Sequence, residues 1–321
     1  MAKLAAGCRL VAALAGLGPL FACSSGTSSL VIGSKNFTEQ DLLGELVAQW
    51  VESTTEIRVD RRLHLGGTFI CHQALVAGDI DMYVEYTGTA LSAILERDEP
   101  RSPQHVLDAV RREYTRRFGL VWTEPFGFEN TFAILVRGAT ADSLGLTSIS
   151  SAADHTPGWT PGFGYEFVER ADGFAGLADR YDLKFARSPR VMDLGLTYRA
   201  LASGAVDLIA GNSTDGQIEL LDLRMLSDDR AYFPPYYAAP VVREDALERF
   251  PGLRETLRSL DARISTTDMR RLNRAVDVDG RDYRVVAREW VAAALDGTSG
   301  RNTPPAVRSG HGRIGNSRQS P

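Results

Sequence analysis

The sequence predicts an α/β protein of two lobes with a ligand cleft between them, and three observations carry that prediction. Strand-like and helix-like segments alternate from Val31 to Leu295. From about Ser143 the character changes and a second α/β series begins. Finally, "ALVAGDIDMYVEY" (74–86) in the first series and "ALASGAVDLIAGN" (200–212) in the second share one pattern: a helix end, Gly, Asp, an apolar strand, then a polar turn. Any helix-to-strand unit needs a glycine to end its helix, which accounts for Gly78 and Gly204. It does not account for the small polar turns "TGT" and "STDG" at both strand ends. Ligands of α/β folds sit at such ends.

Taken in order, residues 1–22 read as an export signal: Lys3 and Arg9 without an acid, then "LVAALAGLGPLFA", too short to span a bilayer, ending in small residues. "LFAC" resembles a lipobox, which makes Cys23 the lipidated residue and 23–29, with "SSGTSS", its tether. "SLVIGSKNF" is a short apolar strand. Thr38 is placed to cap a helix whose Glu39 and Asp41 suit a positive N-terminus and whose Leu42, Leu43, Leu46, Val47 and Trp50 recur at helical spacing. "TEIRVDRRLHL" is a second strand, Gly66-Gly67-Thr68 a turn, and "ICHQALVAG" a short helix. In "DIDMYVEY" Ile80, Met82 and Val84 alternate with Asp81, Tyr83 and Glu85, the period of a half-buried strand that ends on Tyr86. "PQHVLDAVRREYTRRFG" is a surface helix and "FENTFAILVRG" the next strand. The strand at Thr131 to Val136 and the "PPYYAAPVV" stretch are the two crossovers between lobes. One lobe then comprises 30–134 and 237–296, the other 135–236, and 297–321, rich in Gly, Ser, Pro, Asn and Arg, is a disordered tail.

The chain carries 36 basic and 41 acidic side chains. Signal and tail hold six of the bases and no acid, so the core has 30 against 41, a net of −11. That balance disfavours nucleic acid and anionic surfaces and tolerates a cationic or zwitterionic ligand. With Cys8 in the signal and Cys23 acylated, Cys71 stands alone and no internal disulfide is expected. The neighbouring His72, with Asp81 and Glu85, is the only opening for an enzyme or a metal sensor. Adjacent residues point in different directions, and the sequence shows no nucleophile–base spacing, metal quartet or phosphate-cradling glycine loop. The reading is therefore a binding protein without catalysis or cofactor, and a monomer.

The motifs "GSKNFTEQ", "LGGTF", "GDIDMYVEYTGTAL", "GFENTFAILVR", "GYEFVERADG", "NSTDGQI" and "YFPPYYAAPVVR" follow one another in an order that resembles the substrate-binding proteins of osmoprotectant ABC importers, over roughly Val31 to Leu295. The resemblance implies a type II periplasmic-binding-protein fold, a quaternary ammonium ligand such as glycine betaine, choline or carnitine, and delivery to a membrane permease from outside the cytoplasm. It also implies an aromatic box, with Tyr86, Phe132, Phe167 and Tyr236 as walls. Thr89, Lys35 and Arg170 become contacts for a ligand carboxylate, and Asn130 lines the cleft beside Phe132. A quaternary ammonium has no N–H, so ring faces hold it, at about 0.5–2 kcal/mol each, while the planar fork of an arginine matches a carboxylate. Box-forming members often carry tyrosine where this chain has Phe132 and Asn212. The loss of a ring and the gain of an amide open a second reading, a larger betaine or amino-acid derivative, ergothioneine among them, whose polar substituent meets Asn212.

Overall fold

The computed structural model of the protein describes residues 28–97 and 102–297. The expected signal (1–22), Cys23 and most of its tether lie outside these residues, as does the tail beyond Gly297.

The strands are β1 (Leu30–Lys35), β2 (Val59–Gly66), β3 (Met82–Tyr86), β4 (Leu120–Trp122), β5 (Phe132–Arg137), β6 (Pro161–Phe163), β7 (Arg190–Val191), β8 (Leu208–Asn212), β9 (Leu223–Leu226) and β10 (Ala238–Arg243). They form two five-stranded sheets, ordered β2-β1-β3-β10-β4 and β7-β6-β8-β5-β9. In each sheet one strand, the first after the chain arrives from the other sheet, runs antiparallel to its neighbours: β5 against β8 and β9, and β10 against β3 and β4. The two crossing segments meet in a bridge between Glu129 and Tyr237. The boundary drawn at 134/135 falls inside β5, all of whose pairing is within the second sheet.

The strand ending at Tyr86 is buried at all five positions rather than on one face. It runs between β1 and β10, and its polar residues find partners inside: Glu85 accepts from Lys35 and from the Tyr83 hydroxyl. Period-2 alternation here records internal pairing, not exposure.

Helix α1 (Thr38–Thr54) buries Leu42, Leu43, Leu46, Val47 and Trp50, as its spacing requires. Thr38 does not cap it. Phe37 occupies the cap position without a side-chain bond, and the Thr38 hydroxyl donates to Asp277 Oδ1 at 2.6 Å, a partner 239 residues away. Helix α2 (Thr68–Ala77) starts at the expected turn and ends at Gly78, whose φ of 84° is left-handed; Gly204 closes the helix Leu194–Ala202 in the same way at 75°. The aspartates of the two matching stretches are structural. Asp81 accepts the Val31 N–H at 2.8 Å and pairs with Arg249; Asp207 accepts the Thr160 N–H at 2.9 Å and pairs with Arg137.

Cys71 and His72 diverge. The Cys71 thiol is buried, donates to the Ser34 carbonyl, and is pushed up to about 12 by burial. The His72 ring packs edge-on against Tyr114 and Phe118, and burial lowers it to about 4. Among the described residues no group of three or more His, Cys, Asp or Glu side chains is arranged to hold a metal, and no helix is long and apolar enough to cross a membrane.

Candidate functional site

The fold places the carboxyl ends of β1, β3 and β8 around one cavity, closed on its other sides by the crossing segments and by the short helix Tyr165–Glu169. Its volume is about 120 Å³, below the 300–1,000 Å³ that accommodates drug-sized ligands, so it admits only a small solute. Lys35, Tyr86, Thr89, Asn130, Phe132, Phe167, Arg170, Asn212 and Tyr236 all line it. β3 delivers Tyr86 at its last residue, and the following turn delivers Thr89. β8 delivers Asn212 at its end, opposite Phe132 at the start of β5.

The apolar wall is a ring cluster. The Phe132 centroid lies 4.8 Å from Phe167, 5.5 Å from Phe233 and 5.8 Å from Tyr236. Tyr236 is fixed at both ends. Its hydroxyl donates to Asp172 Oδ2 at 2.6 Å, and its ring covers Gly88, where a Cβ would stand 2.7 Å from Cδ1. The central residue of the "TGT" turn is thus glycine because a ring wall lies on it.

Both cations assigned to a ligand carboxylate already hold internal partners. Lys35 Nζ donates to Glu85 at 2.6 Å and sits 5.2 Å from the Tyr86 ring centroid. Arg170 is buried, not a surface residue. Its Nε and Nη2 make a two-pronged pair with Asp172 at 2.8 and 2.6 Å, Nη1 lies 3.8 Å from Glu166, and its Cζ lies 5.0 Å from the Phe132 ring centroid. The Asp172 charge and bonds outweigh burial and hold the Arg170 guanidinium above its ordinary value. The edge that matches a carboxylate is occupied by Asp172, and Nη1 has only the longer 3.8 Å approach to Glu166.

Two lining amides carry buried atoms with no hydrogen-bond partner among the described residues, Asn130 Oδ1 and Asn212 Nδ2. One accepts and the other donates. A buried amide group left unpaired costs about 1–3 kcal/mol, so each of these two atoms offers a hydrogen-bonding position in the cavity wall.

Sequence reasoning missed Glu39 and Glu166. Glu39, read as a helix-start acid, is buried behind the cavity wall and joins four segments. Oε1 accepts from the Tyr86 hydroxyl at 2.7 Å and Asn130 Nδ2 at 2.9 Å, and Oε2 from Thr214 Oγ1 at 2.5 Å and Asn273 Nδ2 at 2.7 Å. Burial raises its carboxyl despite these four donors. Glu166 reaches across the cleft to the N-terminus of α2, accepting the Thr68 N–H at Oε1 and the Thr68 hydroxyl at Oε2, 3.3 Å away. Gly67 leaves room for it, since a Cβ there would lie 2.4 Å from Oε1. The only sequence signal was the glycine pair before Thr68.

Residues 28–293 match the family model described as the substrate binding domain of ABC-type glycine betaine transport systems. The chain is 32% identical over 269 residues to the carnitine transport binding protein OpuCC of Listeria monocytogenes, covering 83% of this chain and 87% of that one. It is 33% identical over 263 residues to the ergothioneine transport permease/ergothioneine binding protein EgtU of Helicobacter pylori, covering 82% of this chain and 47% of that longer protein. A solved glycine betaine/carnitine/choline ABC transporter structure superimposes with a TM-score of 0.69 at 30% identity, over 83% of this chain and 99% of that one.

Proposed function

Since the chain belongs to the family of substrate-binding domains of ABC-type glycine betaine transport systems, we propose that it captures a small quaternary ammonium solute in this cavity and hands it to an importer permease. The observation that carries the proposal is the convergence of Tyr86, Phe132, Phe167 and Tyr236 on one small cavity that also holds cations and amides. Ring faces take the methylated ammonium, while Thr89, beside the helical turn after β3, and Arg170 Nη1 take the acidic end. Lys35, engaged by Glu85, acts mainly as a fixed charge. The change of sheet between β4 and β5 and between β9 and β10 supports two lobes, with the first crossing before Phe132 in place of 134/135 and the second close to 236/237. Residues 1–22 as export signal and Cys23 as lipidated residue, both supported by the sequence alone, make this an extracytoplasmic, membrane-anchored protein.

A second reading is favoured by the unpaired Asn130 Oδ1 and Asn212 Nδ2. Glycine betaine has no N–H or O–H for Asn130, whereas an amino-acid derivative such as ergothioneine brings a ring N–H for Asn130 and a sulfur for Asn212. Titration of the purified protein with glycine betaine, choline, carnitine and ergothioneine, read by calorimetry, separates the two. Ergothioneine binds more tightly than the other three under the second reading, and glycine betaine, choline or carnitine binds at least as well under the first. Absence of binding by all four, with Tyr86→Ala changing nothing, overturns both.

A further inference from the structure

Glu39 does not line the cavity, yet it is tied to a cavity wall by the Tyr86 hydroxyl at 2.7 Å. No lysine, arginine or histidine pairs with it among the described residues; its partners are two hydroxyls and two amide N–H groups. The buried ion pairs of the cavity lining are internally balanced, Lys35 with Glu85 and Arg170 with Asp172, and the other nearby carboxyls, Asp215 and Asp277, are bonded to Tyr198 and Thr38, not to Tyr86. Of these unpaired carboxyls, Glu39 is the one bonded to a ring wall of the cavity, and its four donors oppose the effect of burial on its charge. Each oxygen receives one amide N–H, which can only donate, and one hydroxyl. Its position in the first turn of α1 adds the favourable end of the helix dipole. A phenol that donates to an anion gains electron density in its ring.

We propose that Glu39 is the positioning counter-charge of the site, acting through Tyr86 to enrich that ring and to supply the negative potential that draws the cationic head of the solute. The proposal rests on the reading that Tyr86 walls a cation. A joint between segments, the purely structural alternative, affects every solute alike, whereas a counter-charge affects only charged ones.

The test compares each cation with its carbon isostere, choline against 3,3-dimethyl-1-butanol and glycine betaine against 3,3-dimethylbutanoate, by calorimetry on the wild type, Glu39→Gln and Tyr86→Phe. The wild type prefers the cation of the pair it binds. Glu39→Gln keeps the shape and lowers the cation-to-isostere ratio roughly tenfold, and Tyr86→Phe, which keeps the ring and severs the link, lowers it severalfold. If Glu39→Gln folds poorly, Tyr86→Phe carries the readout. A ratio unchanged in the variants, with affinity for both partners falling together, overturns the proposal and leaves the function intact. A wild type that binds the isosteres as well as the cations overturns the reading beneath it.

Discussion

Gly88→Ala tests the ring wall without touching any side chain that contacts a solute. A Cβ at Gly88 would lie 2.7 and 2.8 Å from Tyr236 Cδ1 and Cε1 and 2.8 Å from the Pro235 carbonyl oxygen. Backbone stands on one side and a ring held by Asp172 on the other, so the ring must yield. Overpacking of this kind costs about 1–3 kcal/mol. Moving the ring also strains the 2.6 Å bond from Tyr236 to Asp172, and hydrogen bonds to charged groups are worth about 1.5–3 kcal/mol. The ring's own attraction for a cation is about 0.5–2 kcal/mol, so its displacement weakens binding by roughly 3- to 30-fold. Thermal unfolding should fall by about 2–5 °C, because an unfolding entropy of about 2.1 cal/mol/K per residue makes each kcal/mol worth just under 2 °C in a fold of this size. Calorimetric titration with the best-bound solute and a melting curve read the two effects together. Wild-type affinity together with a lowered melting point would show that Tyr236 walls nothing. An unchanged melting point would show that the contact at Gly88 is absent.

Other consequences follow from the same contacts. Glu166→Ala removes the carboxylate that bridges the cleft to Thr68. Because that group is partly exposed, solvent screening reduces its worth; we expect a severalfold loss of affinity and a more open shape in small-angle scattering, and an unchanged shape and affinity would refute the bridge. Asn212→Tyr adds a ring and removes the unpaired Nδ2, so the balance between glycine betaine and carnitine should move toward glycine betaine by calorimetry; no change would remove Asn212 from the site. The Asp215 carboxyl is raised by burial to about 7 from its ordinary 3.8. The folded state therefore holds a proton that the unfolded state has lost between those values, and this group's contribution to stability is present at low pH and is lost as pH rises through 7. Asp215→Asn should flatten the pH dependence of denaturant midpoints between about pH 4 and 7, and an unflattened profile refutes the assignment. Cys71→Ser keeps a donor toward Ser34 and should leave solute affinity unchanged; a large loss of binding would reopen a role for the thiol.

The sequence by itself determined most of the elements and nine of the residues that line the cleft. Helical spacing placed Leu42, Leu46 and Trp50 inward, glycines ended the helices before β3 and β8, and strand ends carried Tyr86 and Asn212 to the cavity. These are local properties, set by periodicity and backbone freedom over a few residues. Tertiary structure alone decided whom each polar group meets. Thr38 turned from a cap to Asp277, Arg170 closed on Asp172 and brought its Cζ to the Phe132 ring, and Glu39 gathered Tyr86, Asn130, Thr214 and Asn273 from segments up to 234 residues apart. A buried charge must find its partners wherever the fold brings them, and no spacing along the chain encodes that meeting.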